Sequence, residues 1–341
     1  MKTKKTIKGF NAGKYSIFFV LLFMIFISSL LNKNFLSAGN MTNVARQLAV
    51  GTILAYGEMI LIISGMLDLS AGSVLALSGL LSVGFYKNTY ETMGVYPALT
   101  IAFFLSVFIA VLCNLFNAVL VTNLHVPSFI ATLSMQTIAR GIALLYTKGQ
   151  NILQIGDYKI IGQGQIWVIP IPIIILAIIT IIMWYTLKHT RFGRSLYAIG
   201  GNEEASIASG INVNACKYKA FIFNGVLVGI AGVLFMSRVN AGLPNGAIGY
   251  EMEGLTAAIV GGTSFSGGVG TTGGTLAGSF IIGFLNNIMN LSGVDSYVQQ
   301  IVRGLLIALA VVYDVRFKSK RVNRVILVED EEEETAKKSA I

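Results

Sequence analysis

Apolar residues gather into about ten runs, near residues 15–31, 44–63, 72–86, 98–122, 127–147, 166–187, 217–236, 253–263, 273–292 and 297–314. Most are roughly 20 residues long, the length at which an α-helix crosses a hydrocarbon layer about 30 Å thick. The pattern predicts an all-α polytopic membrane protein. Two runs, 72–86 and 253–263, are too short to span. Each borders a glycine- and serine-rich interruption, GMLDLSAGS at 65–73 and GGTSFSGGVGTTGG at 261–274. Leu69-Ser70-Ala71-Gly72 in the first parallels Phe265-Ser266-Gly267-Gly268 in the second, and Arg140-Gly141 echoes Arg303-Gly304. Unwound backbone is tolerated in a bilayer only against protein or a water-filled cavity, so paired breaks point to a translocation site. Five spans per half predict that any repeat is inverted.

Composition narrows the class. Hydrophobic residues make up 54% of the 341 positions and charged residues 12%, against about 25% charged in soluble domains. The net charge of +9 matters only through its distribution. Lys2, Lys4, Lys5, Lys8 and Lys14 precede the first run. Lys188, Arg191, Arg194, Lys217 and Lys219 flank a central loop, and Arg316, Lys318, Lys320, Arg321 and Arg324 follow the last run. By the positive-inside rule these mark three cytoplasmic segments: a basic start (1–14), the loop at 188–216 inside a membrane domain (15–314), and a tail (315–341). The expected location is a bacterial cytoplasmic membrane with both termini inside. The first run reads as a retained span, because residues 32–40 look like a loop and no cleavage site follows. The acidic run at 329–334 reads as a solvated tail.

Several chemistries are excluded. Cys113 and Cys216 offer no disulfide framework. His125 and His189 stand outside any ligand cluster, so no metal is expected. Residues 268–273 match G-x-G-x-x-G but lack the preceding strand and the acidic residue about twenty positions on that a dinucleotide site needs. They read as a tight turn at a helix break. With no Walker motif, ATP hydrolysis is not expected in this chain, and nucleic-acid binding does not suit its composition.

What remains is polar chemistry inside apolar runs. An ionised acid in hydrocarbon costs a few kcal/mol or more, so such residues usually face a pore, a partner or a buried network. Asp68 therefore reads in two ways: as a lining along a solute path, or as a structural group that caps the helix near Ser70 or pairs with Arg140 or Arg303. Glu58 is a second such acid, with Arg46 as a possible partner. Asn114 and Asn117 share a helix face, as do Asn286 and Asn290, with Asn287 beside them. These asparagines either bind a polyhydroxylated solute or join helices. In the central loop, residues 202–209 can form a short helix with Asn202 as cap, Glu203 and Glu204 in its first turn and Gly210 as its stop. Such an element suits docking of a soluble partner, or serves as a plain connector.

Taken together, LDLSAGSVLALSG (67–79), VPSFIATLSMQTIARGIALLYTKGQ (126–150), GRSLYAIGGNEEASIASGINV (193–213) and AAIVGGTSFSGGVGTTGGTLAGSFIIGFLNN (257–287), continued by VDSYVQQIVRGLLIALAVVYD (294–314), resemble the sugar-type permease subunits of bacterial ATP-binding-cassette importers. The resemblance covers most of 40–314. It implies a fold like that of type II importers and a paired permease, homodimeric or pseudo-dimeric. It also implies a cytoplasmic ATPase on another chain, an external sugar-binding protein and a monosaccharide cargo, ribose first. The family's E-A-A-x-x-x-G loop maps onto Glu204, Ala205, Ser206 and Gly210, with Arg194, Asn202 and Glu203 alongside. The expected translocation residues are Asp68, Ser70, Asn114, Asn117, Ser264, Ser266, Asn286 and Asn290, and the helix-break glycines are Gly65, Gly72, Gly267, Gly268 and Gly270. More distant relatives carry nucleosides or branched-chain amino acids. The competing reading is an ion-coupled secondary transporter using Asp68 and Glu58. A receptor or scaffold would explain the loop but not the breaks.

Overall fold

A computed structural model describes residues 12–312 together with 314 and 316. The lysines at positions 2 to 8, the basic residues at 318 to 324 and the acidic run at 329–334 lie outside the described residues. Each of the ten apolar runs corresponds to one helix: α1 (Ala12–Leu31), α2 (Ala38–Ile63), α3 (Ala71–Met93), α4 (Val95–Thr122), α5 (Ser128–Thr147), α7 (Ile171–His189), α10 (Val213–Val239), α11 (Tyr250–Val260), α12 (Thr272–Leu291) and α13 (Ser296–Val312). Three short helices lie between them: α6 (Ile160–Gln163), α8 (Arg191–Gly201) and α9 (Glu203–Ala208). Five helices, α2, α4, α5, α7 and α10, are long and apolar enough to cross a membrane.

Burial sorts these five into two kinds. In α2 and α10, 83% and 78% of the most apolar stretch is buried, whereas in α4, α5 and α7 only 28% is. Hydrophobic residues all round a helix suit a central position or a lipid face equally. Here α2 and α10 form the centre, and the other three turn apolar faces outward. Close approach at the centre depends on glycine. A β-carbon at Gly225 would lie 2.8 Å from the Val111 Cα, and one at Gly229 would lie 2.5 Å from the Val107 Cα, so the backbones of α10 and α4 nearly touch. Small residues let membrane helices pack in this way. Gly229→Leu should therefore destabilise the fold by about 1–3 kcal/mol, the usual cost of overpacking, measured as a lower melting temperature in detergent.

One expectation needs correction. The run at 72–86 is short only in hydropathy. Helix α3 continues through Lys87 and Glu91 to Met93 and has 23 residues, enough to span at 1.5 Å per residue. Helix α11, with 11 residues, is the short one. The two breaks open in the same way. Gly65 has φ of +80° and Gly262 +87°. Gly65 N donates to the Ile62 carbonyl and Met66 N to Leu61, while Gly262 N donates to Ile259 and Thr263 N to Ala258. Both are left-handed glycine caps of one design. They end α2 and α11 on the same side of the molecule, where the Gly268 N–H donates to the Ile63 carbonyl at 2.8 Å.

At the opposite end lies the 148–170 connector. Its strand β1 (Ile152–Leu153) pairs antiparallel with a later two-residue strand (Ala241–Gly242), in the register Ile152↔Gly242. The buried Tyr158 anchors the connector, its hydroxyl 2.7 Å from Ser82 Oγ and its carbonyl accepting from Ser237 Oγ.

Candidate functional site: two helix breaks and the connector seated on them

Asp68 lies in the first break, 1% exposed. Its Oδ1 accepts from Ser70 N at 2.8 Å and Ser70 Oγ at 2.5 Å, and its Oδ2 accepts from Asn224 Nδ2 at 2.6 Å. Asn224 also donates to Asn114 Oδ1 at 2.9 Å, and Asn117 donates to Ser70 Oγ at 3.2 Å. The network thus ties the first break to α10 and α4. The structural reading of Asp68 is the one this geometry carries, through the turn into α3. The arginines considered as partners are elsewhere: Arg140 donates to the carbonyls of Pro244 and Gly246, and Arg303 to Asn286 Oδ1. Arg46 donates to the Gln163 carbonyl rather than to Glu58. Glu58 faces Asp68 N at 3.5 Å, and its Oε1 is buried without a partner among the described residues.

The remaining predicted polar positions also bind protein groups. Asn286 bridges Glu253 and Arg303, Asn290 accepts from Gln299, and Asn287 exchanges hydrogen bonds with Asn40. Ser264 Oγ donates to Asp314 Oδ2, which also accepts from Phe265 N, so the second break is tied to the end of the last helix. Ser266 is exposed in that turn. Gly72 lies against the Ala247 carbonyl and Glu251, and Gly270 against Ile63.

The second part of the site is the connector between α7 and α10. Its terminal element matches the sequence reading. Asn202 accepts from Ala205 N at 2.9 Å, and α9 closes on Gly210, φ +81°. Glu203, Glu204 and Ile207 are exposed while Ser206 is buried. Lys217 pairs with Glu203 at 2.6 Å and holds α9 to the start of α10. Asn202→Ala should cost about 1 kcal/mol of α9 stability, the usual value for a lost cap, and weaken docking of any partner on α9 in a binding titration.

Helix α8 was not anticipated. The signal was present: Thr190, which accepts from Gly193 N at 3.0 Å, is a cap, and Phe192, Leu196 and Ile199 recur at helical spacing. Gly193, Leu196 and Ile199 are buried, while Arg191 and Arg194 are exposed. The C-terminal turn of α8 rests on both breaks at once. Gly200 packs directly on the Ile63 carbonyl, and a β-carbon there would lie 2.6 Å from Gly268 N. Tyr197 donates to the Gly270 carbonyl at 2.8 Å. Burial raises the pKa of this phenol above its ordinary value, so it remains a donor across the physiological range. The exposed α9 and the two breaks therefore belong to one continuous contact, a geometry through which a push on α9 reaches α2 and α12.

Comparison with known proteins follows this geometry. A family model described as branched-chain amino acid transport system / permease component matches residues 40–311. The ribose import permease protein of Haemophilus influenzae is 38% identical over 328 residues, 94% of this chain and 99% of that protein. That of Bacillus subtilis is 39% identical over 304 residues, covering 88% and 92%. The D-allose transport system permease protein of Escherichia coli is 34% identical over 303 residues, covering 88% and 91%. No solved structure matches the chain.

Proposed function

The chain belongs to the branched-chain amino acid transport system / permease component family, and from that premise we propose that it is the membrane-spanning permease subunit of an ATP-binding-cassette importer for a monosaccharide, ribose first. The family description names amino acids, but the relatives that align over most of the chain are named for ribose and allose, which favours a sugar. In this reading nine of the ten helices are spans, the 11-residue α11 completes a crossing together with the 240–249 segment before it, and both termini and the α8–α9 connector are cytoplasmic. The basic residues Lys188, Arg191, Arg194 and Lys219 beside that connector support the orientation. A second permease copy completes the pathway. The 148–170 connector faces the side from which a sugar-binding protein delivers solute.

One observation carries the proposal: the α9 surface, with exposed Glu203, Glu204 and Ile207, follows directly on α8, whose Gly200 seats on the breaks at Ile63 and Gly268. A separate ATPase seated on α9 would move α8 when ATP closes it, and α8 would move the ends of α2 and the start of α12. The chain itself needs no cofactor for this. The Asp68 network then holds the first break in register, so that α3 moves with α2, α4 and α10. Ser70, Asn114 and Asn117 act in the same unit.

The unpartnered Glu58 Oε1 beside Asp68 favours a second reading, ion-coupled transport. Uptake of labelled ribose in cells separates the two, with xylose, allose and leucine as competitors. The importer reading predicts that uptake persists when the proton gradient is collapsed at constant ATP, and that sugars compete while leucine does not. Loss of uptake with the gradient would support ion coupling instead.

A further inference from the structure

Beside the breaks lies a cavity of about 460 Å³ between α3, α5 and α11, lined by Ser73, Gln136, Thr137, Arg140 and Glu251 among others. That volume is within the range of small-ligand sites. Gln136 and Arg140 occupy the central turns of the 20-residue α5, far from either end of a spanning helix. Charged groups at that depth do not face lipid; they face protein or a water-filled path. Arg140 is fixed by the Pro244 and Gly246 carbonyls at 2.6 and 2.9 Å, which holds the turn before α11 at this level. Glu251 is 6% exposed. Its Oε1 accepts from Gln136 Nε2 at 3.2 Å and Gly249 N at 3.3 Å, and its buried Oε2 packs against Gly72 of α3. Glu251 is an acceptor in this lining. Beside it stand an amide, a guanidinium and two hydroxyls, which offer both donors and acceptors.

We propose that Ser73, Gln136, Thr137, Arg140 and Glu251 form a transient binding site for a neutral polyhydroxylated solute, the station at which the permease itself selects its cargo. The inference rests on the importer reading. Vicinal hydroxyls supply donors to Glu251 Oε1 and to the hydroxyls of Ser73 and Thr137 and accept from Gln136 and Arg140, whereas an amino acid would bring a second carboxylate towards Glu251. Selection is thus shared between the permease and the protein that delivers the solute.

The test uses proteoliposomes holding the whole importer with its ATPase and binding protein, and measures initial uptake of labelled ribose and xylose. Thr137→Val and Gln136→Leu remove polar groups at the mouth of the cavity, where neither side chain is fully buried, and Glu251→Gln replaces the buried acceptor. The expected result is at least a fivefold loss of ribose uptake and a changed ribose-to-xylose ratio. ATP hydrolysis stimulated by the binding protein should stay within twofold of wild type. Should Glu251→Gln fail to assemble, the other two variants decide. Unchanged uptake and ratio would overturn the site and leave a lipid-filled recess, and so would uptake that falls only in step with ATP hydrolysis. Wild-type vesicles that take up neither sugar would overturn the importer reading as well, and so distinguish the two failures.

Discussion

Gly200→Val should abolish coupled transport in a protein that still folds and still binds its ATPase. The glycine is not required for an unusual backbone angle, since its φ is not among the positive values. It is required for space. An added β-carbon meets the Ile63 carbonyl, and lies 2.6 Å from Gly268 N and 2.8 Å from the Ile63 carbonyl carbon. All three are backbone atoms, so no rotamer change relieves the clash and α8 must lift off both breaks. Overpacking costs about 1–3 kcal/mol. Here that strain falls on the contact through which motion would pass, not on the buried cores of α2 and α10. Initial uptake should fall at least tenfold per folded copy, with basal ATP hydrolysis retained. Wild-type uptake by Gly200→Val would show that the contact transmits nothing.

Asp68→Asn should be nearly as damaging for a different reason. The substitution preserves shape and removes an acceptor. Asp68 receives three hydrogen bonds on two oxygens, from Ser70 N, Ser70 Oγ and Asn224 Nδ2. An asparagine keeps one acceptor oxygen for Ser70 and turns an NH₂ towards the Asn224 NH₂. Flipping Asn224 repairs that contact but takes the donor from Asn114 Oδ1 and points the NH₂ at Gly57, against which Asn224 Oδ1 now packs. No arrangement satisfies every group. Leaving a buried polar group unpaired costs about 1–3 kcal/mol, more when a charged partner is lost. Expected are a lower melting temperature in detergent and an uptake rate reduced tenfold or more. Normal transport with unchanged folding would refute the role assigned to Asp68.

Much of this architecture was legible in the sequence, because hydrocarbon imposes a strong rule. Helices must satisfy their own backbone, so apolar runs report spans directly, and all ten coincide with helices. Caps were legible for the same local reason: Asn202 and Gly210 delimit α9 through hydrogen bonds three and four residues long in sequence. What was not legible is long-range pairing. Asn224 stands alone in an apolar run and can be noticed, but nothing in the sequence says that it meets Asp68, 156 positions away. Arg140 and Arg303 looked like partners for that acid because charge alone was counted. Both find carbonyl or amide oxygens nearer to hand. Helix α8 was passed over because only its neighbour α9 had an evident cap and stop, and its seat on Gly268 depends on a tertiary contact. Glu251, just before an apolar run, and Gln136, in the middle of another, gave no sign that they meet.

The central claim is that α9 docks a separate ATPase and passes its motion through α8 to the breaks. The most direct measurement is purification of this chain in mild detergent from its native membrane, with mass spectrometry of what accompanies it and an ATPase assay of the eluate. The account predicts recovery of a nucleotide-binding subunit with ATPase activity, lost when Glu204 is reversed to Lys or Gly210 is replaced by Val. Recovery of the chain alone, from cells whose uptake stops when the proton gradient is collapsed at constant ATP, would contradict it.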